Sequence, residues 1–159
     1  MSAIRKKRNN ISSEEYLANC HSNLNEVEYL KFETLRKGEG WSKLVKRQKF
    51  KCFYCKTDIR DIQKIILNGI IKMRKRGPDG FSGLHFELDH KNAVNTDNNS
   101  ENLVAACYYC NNDKSNTISF DVFKNYFGQQ RNIAFKKMIK DFNITKDSFF
   151  KHHLEGKSI

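Results

Sequence analysis

Cys52-Phe53-Tyr54-Cys55, then Glu87-Leu88-Asp89-His90, then Cys107-Tyr108-Tyr109-Cys110-Asn111-Asn112-Asp113-Lys114: taken in this order, three short stretches decide the fold. Two residues between paired cysteines let both sulfurs of a turn face one ion at about 2.3 Å, and two such turns complete a tetrahedral shell with no position left for water. The spacing therefore predicts one structural Zn2+ on Cys52, Cys55, Cys107 and Cys110. Two disulfides or a redox pair are the competing readings. The chain shows no signal-peptide pattern and no cysteine-dense framework, which favours a cytoplasmic setting, where disulfides are rare. A thioredoxin-type pair needs a βαβ context that is not seen around Cys52. The fifth cysteine, Cys20, reads as a buried apolar residue on an N-terminal helix.

Composition bounds the partners. The 159 residues carry 29 Lys+Arg against 18 Asp+Glu, a formal net charge of +11. A positive charge of that size points to a polyanion. No apolar run approaches the ~20 residues that span a bilayer, so no integral membrane role is expected, and the site chemistry below gives no support to binding at a membrane surface. The basic residues cluster. Arg5 to Arg8 precede the first helix signal; Lys43, Lys46, Arg47, Lys49 and Lys51 lead into the first cysteine turn; Lys64, Lys72, Arg74, Lys75 and Arg76 follow it. The last two clusters are expected to touch nucleic acid, with Lys49, Lys51, Lys72, Arg74 and Arg76 as named contacts.

Local patterns give a series of elements. Ser12 and Glu15 form a capping-box signature, and Leu17, Cys20, Leu24 and Val27 recur at helical spacing, so a helix, intact or broken, is expected to run to about Lys37. Gly38 and Gly40 end it, Trp41, Leu44 and Val45 mark a short second helix, and residues 49–52 read as a strand. Ile59, Ile62, Ile65, Ile66, Ile70 and Met73 form the apolar stripe of an amphipathic helix that ends at Gly77-Pro78-Asp79-Gly80. Residues 84–89 alternate as a half-buried strand, 92–102 are loop-like, 103–107 return as a strand, and a short helix begins near Cys110. Phe120, Phe123 and Phe127 mark one further short helix, and Phe135, Met138, Ile139 and Phe142 another. The class is α+β. The expected organisation is a basic arm and helical extension over 1–48, a metal-stapled core over 49–119 and a C-terminal helical extension over 120–159.

The ordered run Glu87-Leu88-Asp89-His90, Asn102-Leu103, and Cys107 through Lys114 resembles the HNH endonucleases. The resemblance covers about Cys52 to Ser119 and implies a ββα-metal core, a hairpin and a helix gripping one divalent cation. It further implies that Asp89 and Asn111 are metal ligands, that His90 is the general base and that Asn102 braces the loop between the strands. Asn111 stands where the family's third His is expected, a frequent variant.

The residue types suit that chemistry on their own terms. Phosphodiester hydrolysis needs a water, an acceptor for its proton, and positive charge near the developing phosphorane. A neutral imidazole accepts a proton at pH 7. Oxygen ligands from one carboxylate and one carboxamide suit Mg2+, with Mn2+ as a substitute. Neighbouring strand residues point to opposite faces, so Asp89 and His90 reach one phosphate only if the strand ends there. Lys114, one turn beyond Asn111, is placed within reach of a phosphate. His85 is either a partner of the site or solvent-facing; Tyr54, Tyr108 and Tyr109 are expected to pack around the cysteine turns; His21, His152 and His153 are given no role. The expected activity is Mg2+-dependent cleavage of DNA, in a bacterial or phage-encoded protein. A non-catalytic zinc-knuckle module and an RNA nuclease are the alternatives. One site cuts one strand, so a double-strand cutter would need a homodimer or sequential nicks.

Overall fold

The structure, a computed structural model, describes residues 19–20, 24–76, 80–94 and 96–144, with side chains from 74 to 82 left undescribed. Within these bounds the chain is α+β: helices surround two separate two-stranded antiparallel sheets and a four-cysteine cluster. The elements are α1 (Glu26–Lys37), α2 (Glu39–Arg47), α3 (Ile59–Leu67), β1 (Arg74–Arg76), β2 (Gly80–Ser82), β3 (Glu87–His90), β4 (Leu103–Ala106) and α4 (Tyr108–Lys114). A final helical run follows: α5 (Phe120–Val122), a π-helical segment Phe123–Gly128 and α6 (Gln129–Asp141).

The first expected helix, intact or broken, is interrupted before Glu26. The start signal at Ser12 lies outside the described residues, and α1 begins after Asn25, whose side chain accepts from the Glu28 amide while Glu28 reaches back to the Asn25 amide. This capping box satisfies two otherwise unpaired donors and fixes the start. Cys20 and Leu24 therefore precede the helix, and Val27 is 63% exposed rather than part of an apolar stripe. Cys20 is buried, as expected, but outside any described helix, and burial pushes its thiol up to about 12. Gly38, at φ +93°, alone separates α1 from α2; Gly40 is inside α2.

The expected strand over 49–52 does not form. Lys49 and Phe50 adopt φ of +53° and +58°, which turns the chain out of extended geometry, and only Lys51 pairs, through a single bridge to Asp58. α3 also stops early. It is capped by Asp58 and ends at Leu67, where Asn68 and Gly69 (φ +71°) reverse the chain. The segment to Arg76 is thus not helical: Arg74, Lys75 and Arg76 pair with Ser82, Phe81 and Gly80 in a small hairpin. The expected loop residues Gly77, Pro78 and Asp79 lie outside the described residues.

β3 is shorter than the alternation of 84–89 implies, because Leu84 and His85 turn inward and are buried. β3 and β4 pair with Glu87 opposite Ala106 and His90 opposite Leu103. Gln48 extends this sheet with a side chain: its carboxamide donates to the Ala105 carbonyl (2.8 Å) and accepts from the Ala105 amide (2.9 Å). Phe53 N–H also donates to that carbonyl at 3.0 Å, tying the first cysteine turn to β4.

One core joins α1, α2, α3, the hairpin and the last helical run, built on Tyr29, Trp41, Ile59, Ile62, Ile65, Leu84, Phe86, Phe123 and Phe135. His85 belongs to this core. Its Nδ1 lies 2.9 Å from the Tyr29 hydroxyl and 3.7 Å from Glu33 Oε1, while Glu33 also takes hydrogen bonds from Arg36 and the Trp41 indole. Burial alone would raise the Glu33 pKa, but the charges of Arg36 and His85 hold it below the ordinary carboxylate range. A place in a buried polar network, in which Glu33 Oε1 has no hydrogen bond, is neither of the two roles expected for His85.

The two expected C-terminal helices are one continuous run, since the backbone at Phe123 (φ −61°, ψ −48°) and Gln129 (φ −62°, ψ −44°) never leaves helical geometry. Gly128 explains why the run can sit where it does. A Cβ there would lie 2.5 Å from the Tyr54 carbonyl oxygen, so the helix packs directly on the backbone of the first cysteine turn.

Candidate metal centre and adjoining polar site

No disulfide joins any of the five cysteines, which removes the disulfide reading, and the sulfurs of Cys52, Cys55, Cys107 and Cys110 lie within 4.8 Å of one another. A tetrahedral ion with sulfur ligands at about 2.3 Å needs them ~3.8 Å apart, so a small closure suffices. The four side chains are buried and positioned to hold a metal ion, consistent with structural zinc. Backbone amides support thiolate character: Cys107 N–H donates to Cys52 Sγ at 3.3 Å and Cys110 N–H to Cys107 Sγ at 3.4 Å. Hydrogen bonds from Cys107, Cys110 and Cys52 hold the Cys55 thiol well below its ordinary range, whereas burial pushes Cys107 up. Four sulfurs this close and this dry cannot all ionise without a cation among them.

The aromatic residues in the two turns pack as expected. Tyr54 is buried edge-on against Phe123 (5.4 Å between centroids), and Tyr109 meets Phe135 in the same manner at 5.8 Å. Tyr54 does more than pack, because its hydroxyl donates to Asp89 Oδ2 at 2.5 Å. Burial, then the Asp89 hydrogen bond and charge, raise its pKa far above the ordinary phenol.

β3 and α4 face each other through two matched pairs. Glu87 and Asp89, two apart on a strand, share a face; Asn111 and Lys114, three apart on a helix, share another. Asn111 Nδ2 donates to Glu87 Oε2 at 2.8 Å, and Lys114 Nζ lies 3.2 Å from Asp89 Oδ2. Among the described residues, no donor reaches Asp89 Oδ1 and none reaches Asn111 Oδ1. One oxygen of each expected metal ligand is therefore left over while the rest of its group is pinned.

Lys114 is not the phosphate contact expected from its spacing. Its side chain is 1% exposed, and its ammonium also donates to the carbonyls of His90 (3.4 Å) and Ser115 (3.3 Å). The helix face that brings Asn111 to Glu87 turns Lys114 into the interior beside Asp89, away from solvent.

β3 ends at His90, and a turn with Ala93 at φ +61° follows. His90 is 7% exposed; Nε2 lies 3.4 Å from Asn98 Oδ1, and Nδ1 has no partner among the described residues. The loop that carries Asn98 is tied by Asn102. Its carboxamide oxygen accepts from the Asn92 amide (3.0 Å), and its nitrogen donates to Asn92 Oδ1 (2.9 Å) and the Asp97 carbonyl (3.0 Å).

Of the expected nucleic-acid contacts, Lys49, Lys51 and Lys72 are exposed. Arg74 and Arg76 belong to β1 rather than to a basic helix, and their side chains lie outside what the structure describes. Among the described residues no helix is long and apolar enough to cross a membrane. Sequence reasoning missed Glu87 and Tyr54 as partners of the site. Glu87 was accessible through its period-two relation to Asp89; nothing local linked Tyr54 to Asp89, 35 residues away. Comparison with family models, with curated proteins and with solved structures finds no match to this chain.

Proposed function

We propose that the chain is a divalent-metal-dependent endonuclease of the HNH kind that hydrolyses phosphodiester bonds in DNA. The observation that supports this reading best is the pair of unclaimed oxygens, Asp89 Oδ1 and Asn111 Oδ1, each on a side chain oriented by a second residue, next to the strand end that carries His90. Orientation of a ligand by a hydrogen-bonded neighbour is what metal sites require of their surroundings. Asp89 and Asn111 would hold Mg2+ or Mn2+, and the cation would supply positive charge near the reacting phosphate. Tyr54 and Lys114 fix Asp89 through Oδ2, and Glu87 fixes Asn111 through its amide. His90 accepts the proton of the attacking water at Nδ1, with Asn98 steadying Nε2. Asn102 keeps Asn98 and the rest of the loop in place. Zinc on the four cysteines clamps the turn before the hairpin to the start of α4.

The second reading, a nucleic-acid-binding module without catalysis, is favoured by the placement of Lys114, which already neutralises Asp89. The deciding experiment incubates zinc-loaded protein with supercoiled plasmid, linear duplex and single-stranded RNA, with Mg2+ and with none. Nicked or linear DNA appearing only with Mg2+ supports the nuclease. Binding without any cleavage, in Mg2+ or Mn2+, overturns it, and cleavage confined to RNA overturns the choice of DNA.

A further inference from the structure

Lys56, Lys91 and Lys124 come from three separate parts of the chain: the end of the first cysteine turn, the residue after His90, and the π-helical segment. Their ammoniums converge on one ring. They lie 4.8, 5.9 and 4.9 Å from the centroid of Phe53, and Lys91 is also 5.3 Å from that of Phe120. Among the described residues none of the three has a carboxylate partner; the Phe53 ring, the Phe120 ring beside Lys91 and the Cys52 and Cys55 sulfurs near Lys56 are what offset their mutual repulsion. An aromatic face attracts a cation only weakly at an exposed site. Three ammoniums gathered with no carboxylate among them offer an attractive surface to an anion that spans all three.

Two further features make this a built arrangement. Lys56 holds φ +59°, a left-handed conformation that glycine adopts freely and a lysine does not, so a charged side chain stands here against local backbone preference. Phe53 is not free to drift, because its amide is bonded to the Ala105 carbonyl of β4 and its ring meets Tyr54 edge-on at 5.2 Å. Lys91 is fixed through its own amide to the Asn102 carbonyl at 2.9 Å. The cluster is therefore held against the hairpin, one residue from His90 and one from Tyr54.

We propose that Lys56, Lys91 and Lys124, gathered around Phe53, form a clamp for the phosphate backbone of a nucleic-acid strand and hold it beside His90. The purpose of the clamp rests on the nuclease reading; the binding itself does not. The clamp is distinct from the sequence clusters around Lys49 and Lys72.

The test is anisotropy of a fluorescein-labelled oligodeoxynucleotide, single-stranded and as a duplex, titrated with zinc-loaded protein at several KCl concentrations without Mg2+. Each phosphate contact contributes roughly 0.9 to the slope of log affinity against log salt on duplex, and roughly 0.7 on a single strand. Changing Lys56, Lys91 and Lys124 together to Gln should flatten the slope by up to about 2.7 and about 2.1 respectively, for every sequence alike. The corresponding triple Arg variant should keep the wild-type slope, which separates charge from packing. An unchanged slope in a Gln variant with native circular dichroism and zinc content overturns the clamp. The two readings fail separately: cleavage by wild type with an unchanged slope removes the clamp alone, whereas a flattened slope without cleavage by wild type removes the nuclease alone.

Discussion

Replacing Lys114 with Met distinguishes a buried partner of Asp89 from a phosphate contact. Met preserves much of the aliphatic volume and removes the charge. The ammonium lies 3.2 Å from Asp89 Oδ2 and is 1% exposed, while Asp89 is 12% exposed. Breaking a fully buried pair costs about 3–5 kcal/mol, because the remaining charge loses its partner. Here Asp89 keeps the Tyr54 hydroxyl and some contact with water, so about 2–4 kcal/mol is the reasonable range. For a chain of this size each kcal/mol moves the thermal midpoint by ~2–4 °C, giving a fall of about 4–16 °C. The assay is urea and thermal unfolding of zinc-loaded protein, with DNA affinity measured against salt in parallel. The salt slope should not change, since no phosphate reaches this amine. Stability within about 0.5 kcal/mol of wild type, together with a slope reduced by about 0.9, would refute the buried placement and restore the surface role.

Cys110→Ser should lose bound zinc and unfold the core, given an apparent ~10–16 kcal/mol for structural zinc in finger peptides; a native midpoint without metal by elemental analysis contradicts this. Gly128→Ala should lower stability by about 1–3 kcal/mol through overpacking against the Tyr54 carbonyl, read from the midpoint of urea unfolding. Glu33→Gln tests the core network: Glu33 is held below its ordinary pKa, so its contribution is present above the unfolded value of about 4.3 and is lost as pH falls through the folded one. The stability gap between wild type and Glu33→Gln should therefore narrow below about pH 4, and a gap that stays constant down to pH 3 argues against the charged pairing.

Legibility from sequence followed the range of each interaction. The cysteine turns were legible because their ligands are set by local spacing, and the four sulfurs converge as that spacing requires. The hairpin was legible from alternation and from the polar loop, although His85 shows its limit, since period two cannot say where a strand leaves its sheet for the core. The strand expected at 49–52 failed on two positive φ values that composition does not announce. The long amphipathic helix failed because Ile70 and Met73 continue a stripe that Asn68 and Gly69 have already interrupted. Lys114 could be placed on the Asn111 face of a helix, but which way that face turned was decided by tertiary packing. The Phe53 cluster was out of reach for the same reason: its lysines lie far apart in sequence, and no window contains them together.

Cleavage of supercoiled plasmid by wild type and His90→Ala, at matched Mg2+, zinc content and measured DNA affinity, tests the central claim most directly. Loss of the proton acceptor should slow nicking by about 10²- to 10⁴-fold while affinity changes little, because the substitution removes almost no phosphate-binding charge. A His90→Ala protein that nicks at the wild-type rate contradicts the account.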